Sequence, residues 1–254
     1  MADPKRILVL AHTVGEVDRF RAVAEKLALE LSLACSDASA PWRLDFATRD
    51  SALRIVEFAY QQPLLAILPM HNDAGPVAAR ASSMLGLPFH TPRAADSCAN
   101  KSLLLRKLVA HKLRPDTPPG ADTALGETDG SLQLTCLMSD SRLRVLVATQ
   151  AIKGRILLST LSEGTRQGVT AALATLIGAL GLKHGPVHVL LDTRESVSVV
   201  DVSLGSVVPY TSDLQFRIPL VDQDLSFEEV VVRNALGLDV GRIYLDSNDG
   251  VTAR

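Results

Sequence analysis

The stretch that decides the fold is DSCANKSLLLRKLVAHKLRPDTP, which runs from Asp96 to Pro118. Behind Asn100, a residue type that commonly caps helix N-termini, apolar residues recur at helical spacing. This pattern predicts a helix that begins after Asn100 and is stopped by Pro115 and Pro118. Lys101 falls in the first turn, where the helix dipole disfavours a cation by roughly 0.3–1 kcal/mol. Its position favours an anion-binding role, and the alternative is a solvated lysine on a basic helix.

The residues before this stretch alternate apolar runs with helical patterns, which predicts an open parallel α/β sheet. The predicted elements, in chain order, are strand Arg6–Ala11, helix Glu16–Leu33, strand Trp42–Ala47, helix Ser51–Gln61, strand Leu64–Pro69 and helix Pro76–Leu85. Ligands of such sheets bind beyond the carboxyl ends of the strands. His71 follows the third strand and is therefore a candidate ligand contact, with loop packing or helix capping as the alternative role.

The second half of the chain predicts a mixed α+β domain. Residues 116–130 are rich in Pro, Gly, Asp and Thr and show no apolar period, which indicates a loop. The elements predicted after it are a hairpin of Leu132–Met138 and Arg142–Thr149, helix Ser162–Leu182, a hairpin of Val187–Leu191 and Val197–Val202, strand Phe216–Val221 and helix Ser226–Leu236. We therefore predict two domains, over residues 1–95 and 96–254.

Composition excludes several function classes. The 254 residues carry a net charge of −2, with 47% hydrophobic and 21% charged residues, so no global field recruits nucleic acid or an anionic membrane. No apolar run approaches the roughly 18–20 residues of a membrane span, and the N-terminus does not begin a signal peptide. We expect a cytoplasmic protein with no nucleic-acid or membrane partner. The scattered Cys35, Cys98 and Cys136 are expected to be buried, reduced thiols.

Short motifs, in a fixed order, connect both halves to one family. The matching runs are Ala78-Ala79, Leu85–Pro88, Thr91-Pro92, Asn100-Lys101, Arg106, Thr117-Pro118, Leu180–Leu182, Gly185–Leu190, Val199–Ser203 and Leu236–Asp239. Together they resemble ATP-grasp proteins, the ATP-dependent carboxylate–amine ligases, in the neighbourhood of carnosine synthase and carbamoyl-phosphate synthase. The resemblance implies a Rossmann-like preATP-grasp domain followed by a shortened ATP-grasp-like domain.

The same resemblance implies site residues. It places Lys101 against the phosphates of ATP and brings His71 to the nucleotide site. Family members hold Mg²⁺ with one carboxylate on each of two adjacent strands and an asparagine, because Mg²⁺ prefers oxygen ligands. These positions are Leu190, Asp201 and Ser203 in this chain, which leaves a weak magnesium site of Asp201 and Ser203. The family's arginine position is Gly205.

One further residue could restore the missing ligand. Asp192 lies two residues after Leu190, so on a strand both side chains point to the same face. Its carboxylate could then compensate for the leucine at the first metal position.

The length of the second half suggests that part of the nucleotide clamp is missing. ATP-grasp proteins close over ATP with a subdomain that carries a glycine-rich flap, and a single βαβ unit takes about 30 residues. Only the twelve residues 119–130 separate Pro118 from Ser131. We therefore expect a divergent ATP-grasp-like protein with weak or lost ligase activity and a ligand-binding or subunit-interaction role. The alternative is an active, ADP-forming carboxylate–amine ligase.

The expected cofactors and partners depend on whether the protein is a divergent binding protein or an active ligase. ATP and Mg²⁺ are expected cofactors only if the nucleotide site survives. The expected partners are a nucleotide or other small molecule, together with a second copy or a partner subunit on a surface left exposed by the missing subdomain.

Overall fold

The computed structural model describes residues 5–38, 40–115, 131–140, 142–152, 155–158, 161–194, 196–206, 217–219, 224–238 and 240. The helices are α1 Asp18–Lys26, α2 Asp50–Gln61, α3 Gly75–Leu85, α4 Pro92–Ala99, α5 Lys101–Ala110, α6 Glu163–Leu180 and α7 Phe227–Ala235. The strands are β1 Arg6–Ala11, β2 Glu30–Cys35, β3 Leu64–Pro69, β4 Ser131–Ser139, β5 Arg142–Ile152, β6 Arg155–Leu158, β7 Gly185–Asp192, β8 Ser198–Ser203, β9 Arg217–Pro219 and β10 Asp224–Ser226. Among these helices, none is long and apolar enough to cross a membrane.

The first sheet is parallel, with strand order β2-β1-β3, and it confirms the predicted open α/β architecture. Its central strand alternates between two cores. Ile7 and Val9 pack with α1 and α7, whereas Leu8 and Leu10 pack with α2 and α3. Both faces of the sheet are therefore buried, which is typical of parallel sheets.

The predicted helix Glu16–Leu33 is wrong in its second half. The chain leaves α1 after Lys26, Ala28 adopts a left-handed backbone with φ of 53°, and β2 then pairs in parallel with β1. Leu31 fits the helical period of the preceding residues, but it also belongs to a period-2 pattern in the segment that forms β2. Pairing with β1 supplies backbone hydrogen bonds along the whole segment, and this tertiary contact decides between the two patterns.

The predicted strand Trp42–Ala47 is also wrong. Only Arg43 forms a bridge, with Cys35 at the end of β2. The segment then turns at Asp45, whose carboxylate accepts the Ala47 N–H at 2.9 Å. Asp side chains stabilise such turns by bonding the backbone two residues on. The position beside β1 is taken by β2 instead.

The second sheet is antiparallel, with order β6-β5-β4-β7-β8, and both of its predicted hairpins are confirmed. One face packs against α4, α5 and α6. On the other face, Leu137 and Leu146 join α7 and the first sheet in one core. The helix predicted over Ser162–Leu182 is confirmed as α6, and that over Ser226–Leu236 is confirmed as α7. The hydroxyls of Ser162 and Ser226 cap these helices.

The stretch quoted at the outset forms two helices around Asn100. Its side chain accepts the Leu103 N–H at 3.0 Å, which confirms the predicted cap of α5. The helix ends at Ala110, before Pro115, because Lys112 turns into the left-handed region with φ of 56°. The predicted stop at Pro115 is therefore wrong.

One helix was not predicted, and three further predictions are not fully tested by the described residues. Helix α4, capped by Thr91, was not predicted. The loop over residues 116–130 lies outside the described residues, and of the strand predicted over Phe216–Val221 only Arg217–Pro219 is described. The division at residue 95 stays a prediction.

Candidate functional site

A cavity of about 270 Å³ opens where the loop after β3 meets the second sheet. The loop contributes one wall and strands β4, β7 and β8 contribute the other. The lining residues are Met70, His71, Asn72, Gln133, His188, Val189, Leu190, Asp201, Val202 and Ser203. Three of the four predicted site residues, His71, Asp201 and Ser203, therefore lie around one space.

Strand register places the two expected carboxylate positions side by side. Gln133 on β4 pairs with Leu190 on β7, and Leu190 pairs with Asp201 on β8. Directly paired residues project from the same face of a sheet, with Cβ atoms about 4.5–5.5 Å apart. The floor of the cavity is thus a row of Gln133, Leu190 and Asp201. The resemblance implies carboxylates at both of the last two positions, and only Asp201 supplies one.

Asp201 is a largely buried carboxylate. Burial raises the pKa of Asp201, and it is opposed by the Val202 N–H, which donates to the carboxylate at 3.0 Å, and by the charges of Lys101 and Arg114. Neither cation forms a salt bridge with it, and within the described part of the chain no other lysine or arginine does so. The Arg114 guanidinium instead donates to the Val200 carbonyl at 3.1 Å.

Lys101 is exposed at the start of α5 and is not part of the cavity lining. Its charge nevertheless acts on Asp201. The structure therefore brings Lys101 near the predicted metal position without placing it inside the cavity. A contact between Lys101 and ATP stays a prediction.

His71 joins the cavity to a polar cluster at the carboxyl edge of the first sheet. Its Nε2 lies 3.0 Å from Glu16 Oε2, and its ring stacks on that of His12 with centroids 4.4 Å apart. Burial would raise the pKa of Glu16, but hydrogen bonds from His71 and from the His12 backbone N–H outweigh it and lower that pKa. His12 also lies 2.9 Å from the Ser36 hydroxyl and 3.4 Å from the Asp73 carboxylate.

This cluster was missed at the sequence level, although a signal for it exists. His12, Ser36 and His71 each follow one of the three parallel strands, whose last residues are Ala11, Cys35 and Pro69. The ends of parallel strands meet at one edge, where ligands of such sheets bind. Because the second strand was predicted over Trp42–Ala47, Ser36 was not expected at this edge.

Asn72 fixes the loop wall of the cavity. Its Nδ2 donates to the Cys98 carbonyl at 2.9 Å, and its Oδ1 accepts the Leu204 N–H at 3.1 Å. One side chain thereby ties the loop after β3 both to α4 and to the end of β8. The Ser206 N–H adds a hydrogen bond of 2.7 Å to the Pro69 carbonyl.

Gly205 lies against the backbone of this loop. A Cβ atom at position 205 would be 2.5 Å from the Met70 carbonyl oxygen and 3.0 Å from His71 Cα. The position at which the resemblance implies an arginine therefore has no room for any side chain. The loop backbone occupies the space into which such a side chain would extend.

His188 is committed to structural hydrogen bonds. It is buried, its Nε2 donates to the Gly205 carbonyl at 2.9 Å, and its Nδ1 lies 3.4 Å from the Thr135 hydroxyl. Burial lowers the pKa of His188 to about 4, so the ring is neutral near pH 7. It stabilises the floor of the cavity and does not offer a charge there.

Asp192 does not restore the missing metal ligand. Its carboxylate is held by Arg194, with an Nη2–Oδ2 distance of 2.6 Å, and this contact lowers the pKa of Asp192. A bulge between Leu190 and Leu191 disturbs the pairing with β8 at this point, and Asp192 does not line the cavity. Across the described ranges, no group of three His, Cys, Asp or Glu residues is arranged to hold a metal ion.

The three cysteines are free and buried, as predicted. Burial raises the pKa of all three thiols, that of Cys98 to about 12. A thiol with a raised pKa is a poor nucleophile and a poor metal ligand.

No family model and no curated protein sequence matches the chain, but solved structures do. An L-amino acid ligase from Bacillus licheniformis superposes with a TM-score of 0.70 at 16% identity, covering 93% of this chain and 75% of that one. Phosphoribosylglycinamide synthetase from Anaerococcus prevotii gives 0.67 at 11% identity, with 93% and 76% covered. N5-carboxyaminoimidazole ribonucleotide synthetase from Thermotoga maritima gives 0.66 at 10% identity, with 95% and 78% covered.

These similar structures are ATP-grasp ligases, and each match covers most of this chain. The TM-scores of 0.66–0.70 establish the architecture, and the identities of 10–16% leave the chemistry open. The parallel sheet, the antiparallel sheet and the structural matches together show that this chain has an ATP-grasp-like fold.

Proposed function

We propose that the chain is a divergent ATP-grasp-like protein that binds a small ligand in the cavity and has weak or lost ligase activity. The observation that carries this proposal is the pairing of Leu190 with Asp201. Where two carboxylates would hold Mg²⁺, one position offers only an aliphatic side chain.

The charge distribution supports the same proposal. Phosphoryl transfer requires the developing phosphate charge to be neutralised, usually by metal ions held by oxygen ligands. Asp201 and Ser203 supply one carboxylate and one hydroxyl, and burial raises the pKa of that carboxylate. The glycine at position 205 removes a further cation. The residues present therefore do not fit a magnesium–triphosphate site, and we assign no catalytic step to one.

The size of the cavity agrees with a small ligand. Pockets for drug-sized molecules occupy roughly 300–1,000 Å³. The space enclosed by the described residues is about 270 Å³, just below that range. Its mixture of apolar and polar walls is typical of a binding site for a small organic molecule.

The alternative is an active ATP- and magnesium-dependent ligase. Solved structures of fold relatives contain ADP, among them one of N5-carboxyaminoimidazole ribonucleotide synthetase. The charge of Lys101, which acts on Asp201, favours this alternative because it could also act on a phosphate. In that case Lys101 and His71 would contact ATP, and Asp201 with Ser203 would hold Mg²⁺.

Calorimetric titration with magnesium–ATP separates the two. We expect weak binding by the wild type, little change in Lys101→Ala relative to the control Lys107→Ala, and a gain of at least tenfold in the double variant Leu190→Glu/Ser203→Asn. Tenfold corresponds to about 1.4 kcal/mol. Micromolar binding that Lys101→Ala weakens tenfold, together with ADP release in the presence of amino-acid pairs, would establish the active ligase instead.

The proposed role in subunit interaction has a separate measurement. Sedimentation velocity over a range of protein concentrations reports whether the chain self-associates. A concentration-independent monomer would exclude self-association.

A further inference from the structure

We infer that the cavity takes a small, neutral, flat ligand, a primary amide or an amino-substituted heterocycle, whose N–H groups donate to Asp201. This inference rests on the proposed function, since it names the class of ligand for the same cavity. It depends on the row formed by Gln133, Leu190 and Asp201 and on the charges around it.

The row provides two polar ends separated by an apolar surface. Neighbouring strands lie 4.7–4.9 Å apart, so the backbones of Gln133 and Asp201 are about 10 Å apart, with Leu190 between them. An ionised carboxylate only accepts hydrogen bonds, whereas an amide both donates and accepts. A flat molecule that rests on Leu190 can present N–H groups to Asp201.

The walls suit the faces of a ring. Leu190 is 6% exposed and Met70 is 3% exposed, and both border the cavity. A methionine sulfur also makes favourable contacts with aromatic rings.

The surrounding charges favour a neutral ligand over an ion. A buried carboxylate is stabilised when N–H groups donate to it, and Asp201 lacks an ion pair in the part of the chain that the structure describes. Lys101 and Arg114 already place positive charge near Asp201, and both would repel a cationic ligand. An anion would be repelled at short range by Asp201 itself.

Asn72 and His188, two other polar side chains that border the cavity, are already committed, and Asp201 supplies the carboxylate among the lining residues. Asn72 bonds the Cys98 carbonyl and the Leu204 N–H. His188 donates to the Gly205 carbonyl and is neutral. Recognition of N–H donors therefore depends on Asp201.

The test compares nicotinamide with nicotinate, which have the same shape but differ in N–H donors and charge. Each is titrated calorimetrically into the full chain without nucleotide or magnesium. We expect nicotinamide to bind at millimolar concentration or below and nicotinate to bind at least tenfold more weakly. Asp201→Asn should weaken nicotinamide binding at least tenfold, whereas Asp192→Asn, a carboxylate on β7 outside the cavity, should leave it unchanged.

Circular dichroism and the melting temperature verify that each variant is folded. Leu190→Glu gives a second probe of the same cavity, because it places a second carboxylate on the floor, and we expect it to abolish nicotinamide binding. Equal affinities for the two probes, no binding of either, or an unchanged affinity in folded Asp201→Asn would each overturn the inference. Because no nucleotide is present, these outcomes are independent of the magnesium–ATP titration that tests the proposed function.

Discussion

Replacing Gly205 by alanine tests most directly whether the loop after β3 contacts the backbone that follows β8. The added Cβ would lie 2.5 Å from the Met70 carbonyl oxygen and 3.0 Å from His71 Cα. Both neighbours are backbone atoms, so no side-chain rotation can relieve the overlap. Either the loop after β3 or the end of β8 has to move.

The magnitude follows from the clash and from the hydrogen bonds that such a movement breaks. Overpacking in a well-packed region costs typically 1–3 kcal/mol. The hydrogen bond from the Ser206 N–H to Pro69 and that from the Leu204 N–H to Asn72 span the same contact, and each contributes about 0.5–1.5 kcal/mol. Because the movement relieves part of the clash as it breaks these bonds, we expect Gly205→Ala to lower the free energy of unfolding by about 2–4 kcal/mol.

Urea unfolding followed by circular dichroism measures this change. The matched control is Gly178→Ala in α6, where a Cβ meets nothing within 4 Å. Alanine is favoured over glycine in a helix interior by roughly 0.5–1 kcal/mol, so the control should be neutral or more stable than the wild type. If the free energy of unfolding of Gly205→Ala is within 0.5 kcal/mol of that of the wild type, the close backbone approach does not exist in solution.

The remaining predictions concern buried titratable groups. Glu229 is paired with Lys26 at 2.7 Å and Arg233 at 2.9 Å, so Glu229→Gln should lower the free energy of unfolding by roughly 1–3 kcal/mol at pH 7, less than for a fully buried pair because Lys26 is 58% exposed. The pairs lower the pKa of Glu229 against the effect of burial, so this difference should be present above pH 4.5 and disappear in acid, as urea titrations at several pH values would show; a constant difference would contradict it. Burial lowers the pKa of His90 and of His188 to about 4 from 6.5, so the stability due to their neutral forms should be complete above pH 6.5 and decline as the pH falls towards 4. Thermal melts at pH 7.5 and 4.5 should show this loss, and it should be smaller in His90→Gln, whereas an identical loss in that variant would exclude a contribution from His90.

Local patterns were sufficient to predict most of the elements but not the choice between two competing periods. The segment around Leu31 satisfies both a helical and an alternating pattern, and pairing with β1 selects the second. The end of α5 was missed for a different reason. Pro115 is a visible stop, whereas the left-handed turn at Lys112 leaves no strong mark in the sequence.

The positions of the candidate site residues on β7 and β8 were predictable, because the two strands form a hairpin. Leu190, Asp201 and Ser203 were placed by their positions in the motif, and the structure brings the first two directly opposite each other. The contact between Asn72 and Leu204 joins residues 132 positions apart, and no local pattern specifies such a distance. The fit of Gly205 to the loop backbone depends on that contact and was equally invisible.

Helix α7 covers one face of the first sheet, where its Val230 and Val231 pack with Val9 and Ala66. This arrangement matters while the chain is being synthesised on the ribosome. At roughly 5–20 residues per second, the interval between completing β3 and starting α7 lasts about 8–30 s. During that interval the part of this apolar face that α7 later covers stays exposed in the nascent chain.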